Sequence, residues 1–361
     1  MQIVAIDIGF GFTKATNGKK SLIFKSVFGD ATEVQFKEKF IAETAEDDQL
    51  AIEYEGKAYF VGELAERQSS ERRFTLDQEQ FVSSFTKILA LPAIARLAGE
   101  QTAVKLVVGL PISHYRRYKK ELKNLLVGLH AFKTIDAQGE RHDANIRVSD
   151  VKVVPQPFGT VLNAFLDSNG DVKDRRFAQE KVGVIDIGFR TTDYTIADKA
   201  RYSERGSRTI DYGIARAFSN IAERLQEIAG VDVELYRLYE AVERGWIKIH
   251  GKRYDIIPIR DHAFAQLASA IASQANLLWT NDWDIDRVLV SGGGGAVLAS
   301  YLEPQIKGKV VPIDPNDDSR LNNVSGYYNY GMRLWSTTTS KATATATKPA
   351  PEQVLKTKTA A

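Results

Sequence analysis

A chain of 361 residues, 43% hydrophobic and 26% charged, can hold two domains with ample core and has the balance of a globular protein. Its formal net charge of +2 favours neither nucleic acid nor a membrane surface as partner. The lack of cysteine removes disulfides, thiolate metal sites and cysteine nucleophiles, and the five histidines show no zinc-ligand spacing.

Met1 leads within two residues into the apolar run Ile3–Ile6, which leaves no room for a signal peptide and makes the cytoplasm the expected compartment. That run ends in Asp7-Ile8-Gly9-Phe10-Gly11-Phe12-Thr13-Lys14. Ser21–Phe28 and Ile52–Val61 read as strands around a stretch rich in Glu, Asp and Lys, so about 31–80 is expected to be an inserted lobe. Gln80–Leu97 has helical periodicity, with Pro92 as an expected kink or boundary. Val104–Leu110 reads as a buried strand before a basic helix, Tyr115–Leu126, whose cations are expected to be a solvated face.

Val151–Pro155 is a further strand, followed by Gln156 and a helix starting at Gly159. Val182–Ile185 then opens a second copy of the first phrase: Ile-Asp-Ile-Gly-Phe occurs at 6–10 and again at 185–189. Helices are expected over Ser219–Ile228, Val233–Glu243 and Ala263–Trp279, and a strand, Arg287–Val290, ends in Ser291-Gly292-Gly293-Gly294-Gly295. Alternating strands and helices imply an α/β chain with sheets covered on both sides, and the matching turns imply duplication. The Thr-, Ala- and Pro-rich stretch over 336–361 has too few apolar residues for a core and is expected to be disordered.

A strand that stops at an acidic residue and turns on glycine presents backbone N–H groups that cradle phosphate oxygens. Two such turns facing each other make a nucleotide clamp, with Asp7 and Asp186 holding Mg²⁺ largely through water. Gly9, Gly11 and Phe12 would line the first turn, with Thr13 and Lys14 meeting phosphate charge. Gly188, Thr191 and Thr192 would make the second, and Gly292, Gly293 and Gly294 would lie against a nucleoside. Asp193 is expected only to brace its turn. Gln156 can orient a water in line with a γ-phosphorus, and the alternative is a loop glutamine on a Pro-rich turn.

In their order these elements resemble the phosphate-1, connect-1, phosphate-2 and adenosine motifs of the actin, sugar-kinase and seventy-kilodalton-chaperone superfamily. Within it the chain resembles the ParM/StbA-type prokaryotic actins, from Met1 to about Trp335. Val107–Pro111, Val153–Pro157 and Asn322–Gly331 resemble the strand before the basic helix, the connect-1 segment and the closing helix. ParM carries a catalytic glutamate in connect-1, where this chain has Gln156.

The resemblance implies a two-domain actin-like ATPase fold of duplicated RNase H-like domains with the nucleotide in the interdomain cleft. Residues 1–180 would form the first domain, 181–318 the second, and 319–335 a helix returning to the first. It also implies ATP and Mg²⁺ as cofactors and hydrolysis coupled to a homopolymeric filament. Plasmid or DNA segregation through a DNA-binding adaptor is the leading task, with no direct contact to nucleic acid or membrane. An intracellular cytoskeletal scaffold, for organelle positioning or cell shape, is the alternative, followed by a non-polymerising ATP-binding protein. A sugar kinase would need a further base and a sugar-binding face, and neither has an obvious motif here.

Overall fold

The five-residue phrase that the chain repeats ends two equivalent strands, in two sheets built on the same pattern. The structure is a computed structural model that describes residues 2–31, 50–74, 82–99, 102–311 and 318–346, with side chains in the last segment described through Trp335.

The first half begins with β1 (Gln2–Ile8), β2 (Phe12–Thr16), β3 (Ser21–Lys25) and β4 (Val27–Asp30). It continues through β5 (Leu50–Tyr54), β6 (Lys57–Val61), α1 (Glu63–Gln68), β7 (Arg72–Phe74) and α2 (Ser84–Ala98). Then come β8 (Ala103–Leu110), α3 (Ile112–Leu126), β9 (Gly128–Ile135), β10 (Arg141–Pro155) and α4 (Phe158–Phe165). The second half opens with β11 (Lys181–Ile187), β12 (Thr192–Asp198), β13 (Arg201–Ile210), α5 (Ile214–Ala229) and α6 (Leu238–Arg244). It closes with β14 (Trp246–Ile249), β15 (Lys252–Asp255), α7 (Ile257–Leu278), β16 (Arg287–Ser291), α8 (Gly293–Leu302), β17 (Val310–Val311) and α9 (Asn322–Ala346).

Five strands of the first sheet run β3-β2-β1-β8-β10, and the second sheet runs β13-β12-β11-β16-β17. In both, two antiparallel pairings lead to a central strand, which is followed by two parallel pairings. The duplication read in the phrase is therefore a duplication of topology. In the first sheet β9 carries the order onward through β5-β6-β4-β7. β5, β6 and β7 fall in the expected insertion while β4 precedes it, and residues 32–49 and 75–80 of the insertion lie outside the described residues.

Strand parity decides what each face buries. Val4, Ile6 and Ile8 of β1 pack with α2, while Ala5 packs against Val324, Tyr327 and Trp335 of α9. Val182 and Val184 of β11 pack with Val161 of α4, while Ile185 and Ile187 join the core under α5, α7 and α8. Helices α4 and α9 thus lie between the two sheets. Asp7 shares the face of Ala5, and Asp186 shares that of Val184, so both carboxylates are on inward faces.

α4 and α9 approach closely because each has glycine at the crossing. A Cβ on Gly326 would come within 1.9 Å of the Gly159 carbonyl oxygen. Pro92 does not bound α2, which is buried on most sides and continuous to Ala98. Helix α9 runs on to Ala346, past the Trp335 limit and into the stretch expected to be disordered, because Thr and Ala can extend a helix already nucleated by packing. Residues 347–361 lie outside the described residues. Arg116, Arg117, Lys119, Lys120 and Lys123 of α3 are exposed, with Arg116 paired to Glu204 and Lys123 to Asp150. No helix among the described residues is long and apolar enough to cross a membrane.

Candidate functional site

The two hairpins that follow the repeated phrase have the same register. Asp7 lies opposite Lys14 on the β1–β2 pair, and Asp186 lies opposite Asp193 on the β11–β12 pair. Each turn is closed by its glycine: Gly9 N–H donates to the Phe12 carbonyl at 3.1 Å and Gly188 N–H to the Thr191 carbonyl at 2.9 Å. The turns meet. A Cβ on Gly11 would stand 2.8 Å from Cβ of Phe189, so only glycine lets the first turn close on the second. Tyr239 spans both, with its ring 5.2 Å from that of Phe12 and 5.7 Å from that of Phe189.

Between the hairpins is a cavity of about 640 Å³, within the range of small-molecule and cofactor sites. Of the residues picked out in the sequence, Asp7, Gly9, Gly11, Phe12, Lys14, Gln156, Asp186, Gly188, Thr191, Gly292, Gly293 and Gly294 line it. Thr13 and Thr192 do not, which corrects the expectation for both. Thr13 is fully buried and its hydroxyl is 2.9 Å from that of Ser26, while the Thr192 hydroxyl donates to the Tyr212 carbonyl. On a strand neighbouring side chains point to opposite faces, so Lys14 and Thr13 cannot both face the cavity.

The site is acidic, and both phrase aspartates are buried in it. Lys14 Nζ is 3.4 Å from Asp7 Oδ2, and Asp7 Oδ1 is buried without a hydrogen-bond partner among the described residues. Burial, reinforced by the charge of Asp7, raises the Asp186 carboxyl to about 6 even though Asn323 donates to its Oδ2 at 2.7 Å. Asp193 is pushed up to about 7, again first by burial and then by the charge of Asp186. It accepts from the Thr209 hydroxyl and from the backbone N–H of Ile112. A carboxylate of the second half therefore supplies the N-terminal acceptor that α3 of the first half lacks.

An orphaned buried oxygen and two carboxyls held against ionisation fit a divalent cation, which would relieve both costs. Among the described residues no group of three or more metal-binding side chains is present. An ion between Asp7 and Asp186 would thus draw its remaining ligands from water and phosphate, as Mg²⁺ commonly does.

Gln156 is 9% exposed, and hydrogen bonds from both its backbone and its carboxamide set its position. Its backbone N–H donates to Leu110, its carbonyl accepts from the Tyr327 hydroxyl at 2.9 Å, and its Nε2 donates to the Ile8 carbonyl at 3.1 Å. A carbonyl partner fixes which end of the carboxamide is which, leaving Oε1 as the acceptor. Gly292, at φ +81°, places bare backbone beside Asp186; a Cβ there would lie 2.5 Å from Asp186 Oδ1.

Three contributors went unread in the sequence. Asn323 binds Asp186 and also accepts from the Thr160 backbone and hydroxyl at 3.0 Å, so α9 fastens the second sheet to α4. Tyr327, one turn on, holds Gln156. Asp193, expected only to brace its turn, lines the cavity, and its signal was its seven-residue offset from Asp186, the same as that of Lys14 from Asp7. Glu240, Glu243 and Arg320 also line the cavity, with Arg320 beside Gly293.

Duplicated sheets, paired acidic turns and a helix returning between the halves define the two-domain actin-like fold. The family description "Actin like proteins N terminal domain" matches residues 5–159, and "Archaeal actin homologue MreB-like, C-terminal" matches 184–304. The chain belongs to the actin-like proteins, with ParM-type prokaryotic actins among its structural relatives.

A 15-stranded ParM filament structure from Clostridium botulinum is 24% identical, covering 91% of this chain and 98% of that one, with a TM-score of 0.75. An archaeal actin homologue in complex with ADP is 18% identical, covering 92% and 100%, with a TM-score of 0.76. ParM from Bacillus thuringiensis with AMPPNP is 18% identical, covering 93% and 99%, with a TM-score of 0.70. No curated protein matches in a direct sequence comparison.

Proposed function

We propose that the protein is a filament-forming actin-like ATPase that binds ATP with Mg²⁺ between its halves and hydrolyses it to control filament turnover. The observation that carries this reading is the convergence of Asp7, Lys14, Asp186 and Asp193 on one cavity through two hairpins of identical register. Residues 1–180 would act as one domain and 181–318 as the other, with α9 as the strap between them.

In this reading Gly9, Gly11, Gly188 and Thr191 hold phosphate oxygens and Lys14 neutralises their charge. Asp7 and Asp186 would hold Mg²⁺, which supplies electrostatic stabilisation of the phosphate oxygens when bound. Gly292–Gly294 would lie flat against the nucleoside. Gln156, tethered at Nε2, presents Oε1 to a water, orienting it without abstracting its proton, which suits slow turnover. Filament formation is supported by the likeness to a ParM filament structure, and nucleotide binding by the likeness to ADP- and AMPPNP-bound relatives. Cytoplasmic segregation of plasmid DNA through a separate adaptor is the cellular task we infer.

Nucleotide affinity and phosphate release, measured on two variants, separate the assigned roles. Asp7→Ala should weaken Mg²⁺–ATP binding at least about tenfold. Gln156→Ala should bind normally and release phosphate on the order of a hundredfold more slowly. Unchanged binding in the first variant removes the clamp assignment. Unchanged turnover in the second shows that another group orients the water.

A further inference from the structure

Where the two hairpin turns meet, a hydroxyl and a carboxylate line the cavity from opposite halves, each with unused hydrogen-bonding capacity. Tyr239 comes from α6, which is rooted in the second core by Leu238, Ala241 and Val242. Its ring stands edge-on to those of Phe12 and Phe218, each at 5.2 Å, so a side chain of the second half meets the first turn. The hydroxyl end reaches the turn backbone: a Cβ on Gly11 would lie 3.4 Å from the Tyr239 oxygen. Among the described residues that hydroxyl has no hydrogen-bond partner.

Glu66 comes from α1, in the inserted lobe of the first half, where Leu64 and Ala65 pack with Val27 and Phe60. Lys25 Nζ pairs with its Oε2, and Lys25 lies opposite Phe12 on the β2–β3 pair. Contacts thus run from Tyr239 through Phe12 and Lys25 to Glu66, from one half to the other. Glu66 Oε1 is buried and has no hydrogen-bond partner among the described residues. Both Glu66 and Tyr239 line the cavity. Burial first, and then the charge of Glu66, raise the Tyr239 hydroxyl above its ordinary value, which keeps it a donor.

A carboxylate facing a phosphate-binding cavity repels the ligand, so Glu66 is poorly suited to be a phosphate contact. A buried acceptor left unpaired is costly, and a phenol is the complementary donor. We propose that Tyr239 and Glu66 are a positioning pair: the Tyr239 hydroxyl donates to Glu66 Oε1 across the cavity, which ties α1 to α6 with or without nucleotide and slows release of a bound one. The proposal rests on the nucleotide reading for its kinetic arm alone.

Dissociation of a fluorescent ATP analogue, chased with unlabelled ATP in Mg²⁺, reads that arm. Tyr239→Phe keeps the ring and loses the hydroxyl. It should release the analogue about tenfold faster, with association rate and melting temperature unchanged. Glu66→Gln keeps an oxygen acceptor without the charge and should release it about threefold faster. The double variant should match Tyr239→Phe, because the bond weakened by the second change is already absent.

Since the chain lacks cysteine, spin labels on Gln68→Cys of α1 and Arg244→Cys of α6 read the second arm without nucleotide. The distribution of distances between the labels should be broader with Tyr239→Phe than with Tyr239. Equal widths, an unchanged release rate in Tyr239→Phe, or additive rates in the double variant overturn the pair and leave the nucleotide reading intact. A chain that binds no ATP analogue yet shows the broadening supports the pair and overturns the nucleotide reading.

Discussion

Asp193 shows how one position in a duplicated hairpin is put to a new use. The position seven residues after the phrase aspartate carries a cation, Lys14, in the first hairpin and a carboxyl, Asp193, in the second. A carboxyl whose folded value is raised binds its proton more tightly in the native state. Its stabilising contribution is complete below the unfolded value near 4 and is lost as pH rises through the folded value. For Asp186 and Asp193 the loss falls between about pH 4 and the raised values of about 6 and 7.

Thermal melting without nucleotide or Mg²⁺ should therefore show Asp193→Asn gaining on the wild type across that window. The gain should reach on the order of 2 kcal/mol by pH 8, where the wild type holds a buried charge and the amide does not. Parallel melting curves for the two proteins from pH 4 to pH 8 would contradict the assignment. Lys14 and Thr13 show what single-residue reading overlooks: both chemistries suit phosphate, but strand parity admits only one of them to the cavity.

Among the elements, the repeated hairpins were legible because all their determinants are local: an apolar run, an aspartate, a glycine and a short return strand. The contribution of α9 was not. Asn323 reaches Asp186 across 137 residues of sequence, and Tyr327 reaches Gln156 across 171, so neither pairing leaves a trace in any window of the chain. What the sequence does carry is the glycine that permits the approach. Gly326→Ala would drive a methyl into the Gly159 carbonyl and pry α9 from α4, loosening both Asn323 and Tyr327. The expected cost is about 1–3 kcal/mol in denaturant unfolding, accompanied by weaker nucleotide affinity. A fully stable variant with unchanged affinity would show that the strap is not needed to hold the site together.

At the scale of the molecule, composition and pattern led to the right class of sheet, and the duplicated phrase led to the right pairing of halves. The ends of α9 and the strap's side chains depended on packing that only the folded chain reveals. The proposed function couples nucleotide occupancy of the cavity between the sheets to assembly of the chain. High-speed sedimentation of the full-length chain in ATP–Mg²⁺, ADP–Mg²⁺ and no nucleotide, with electron microscopy of the pellets, tests that most directly. Filaments are expected in ATP, disappearing as phosphate is released, and none in the other two conditions. A chain that binds ATP but stays in the supernatant in all three would contradict it.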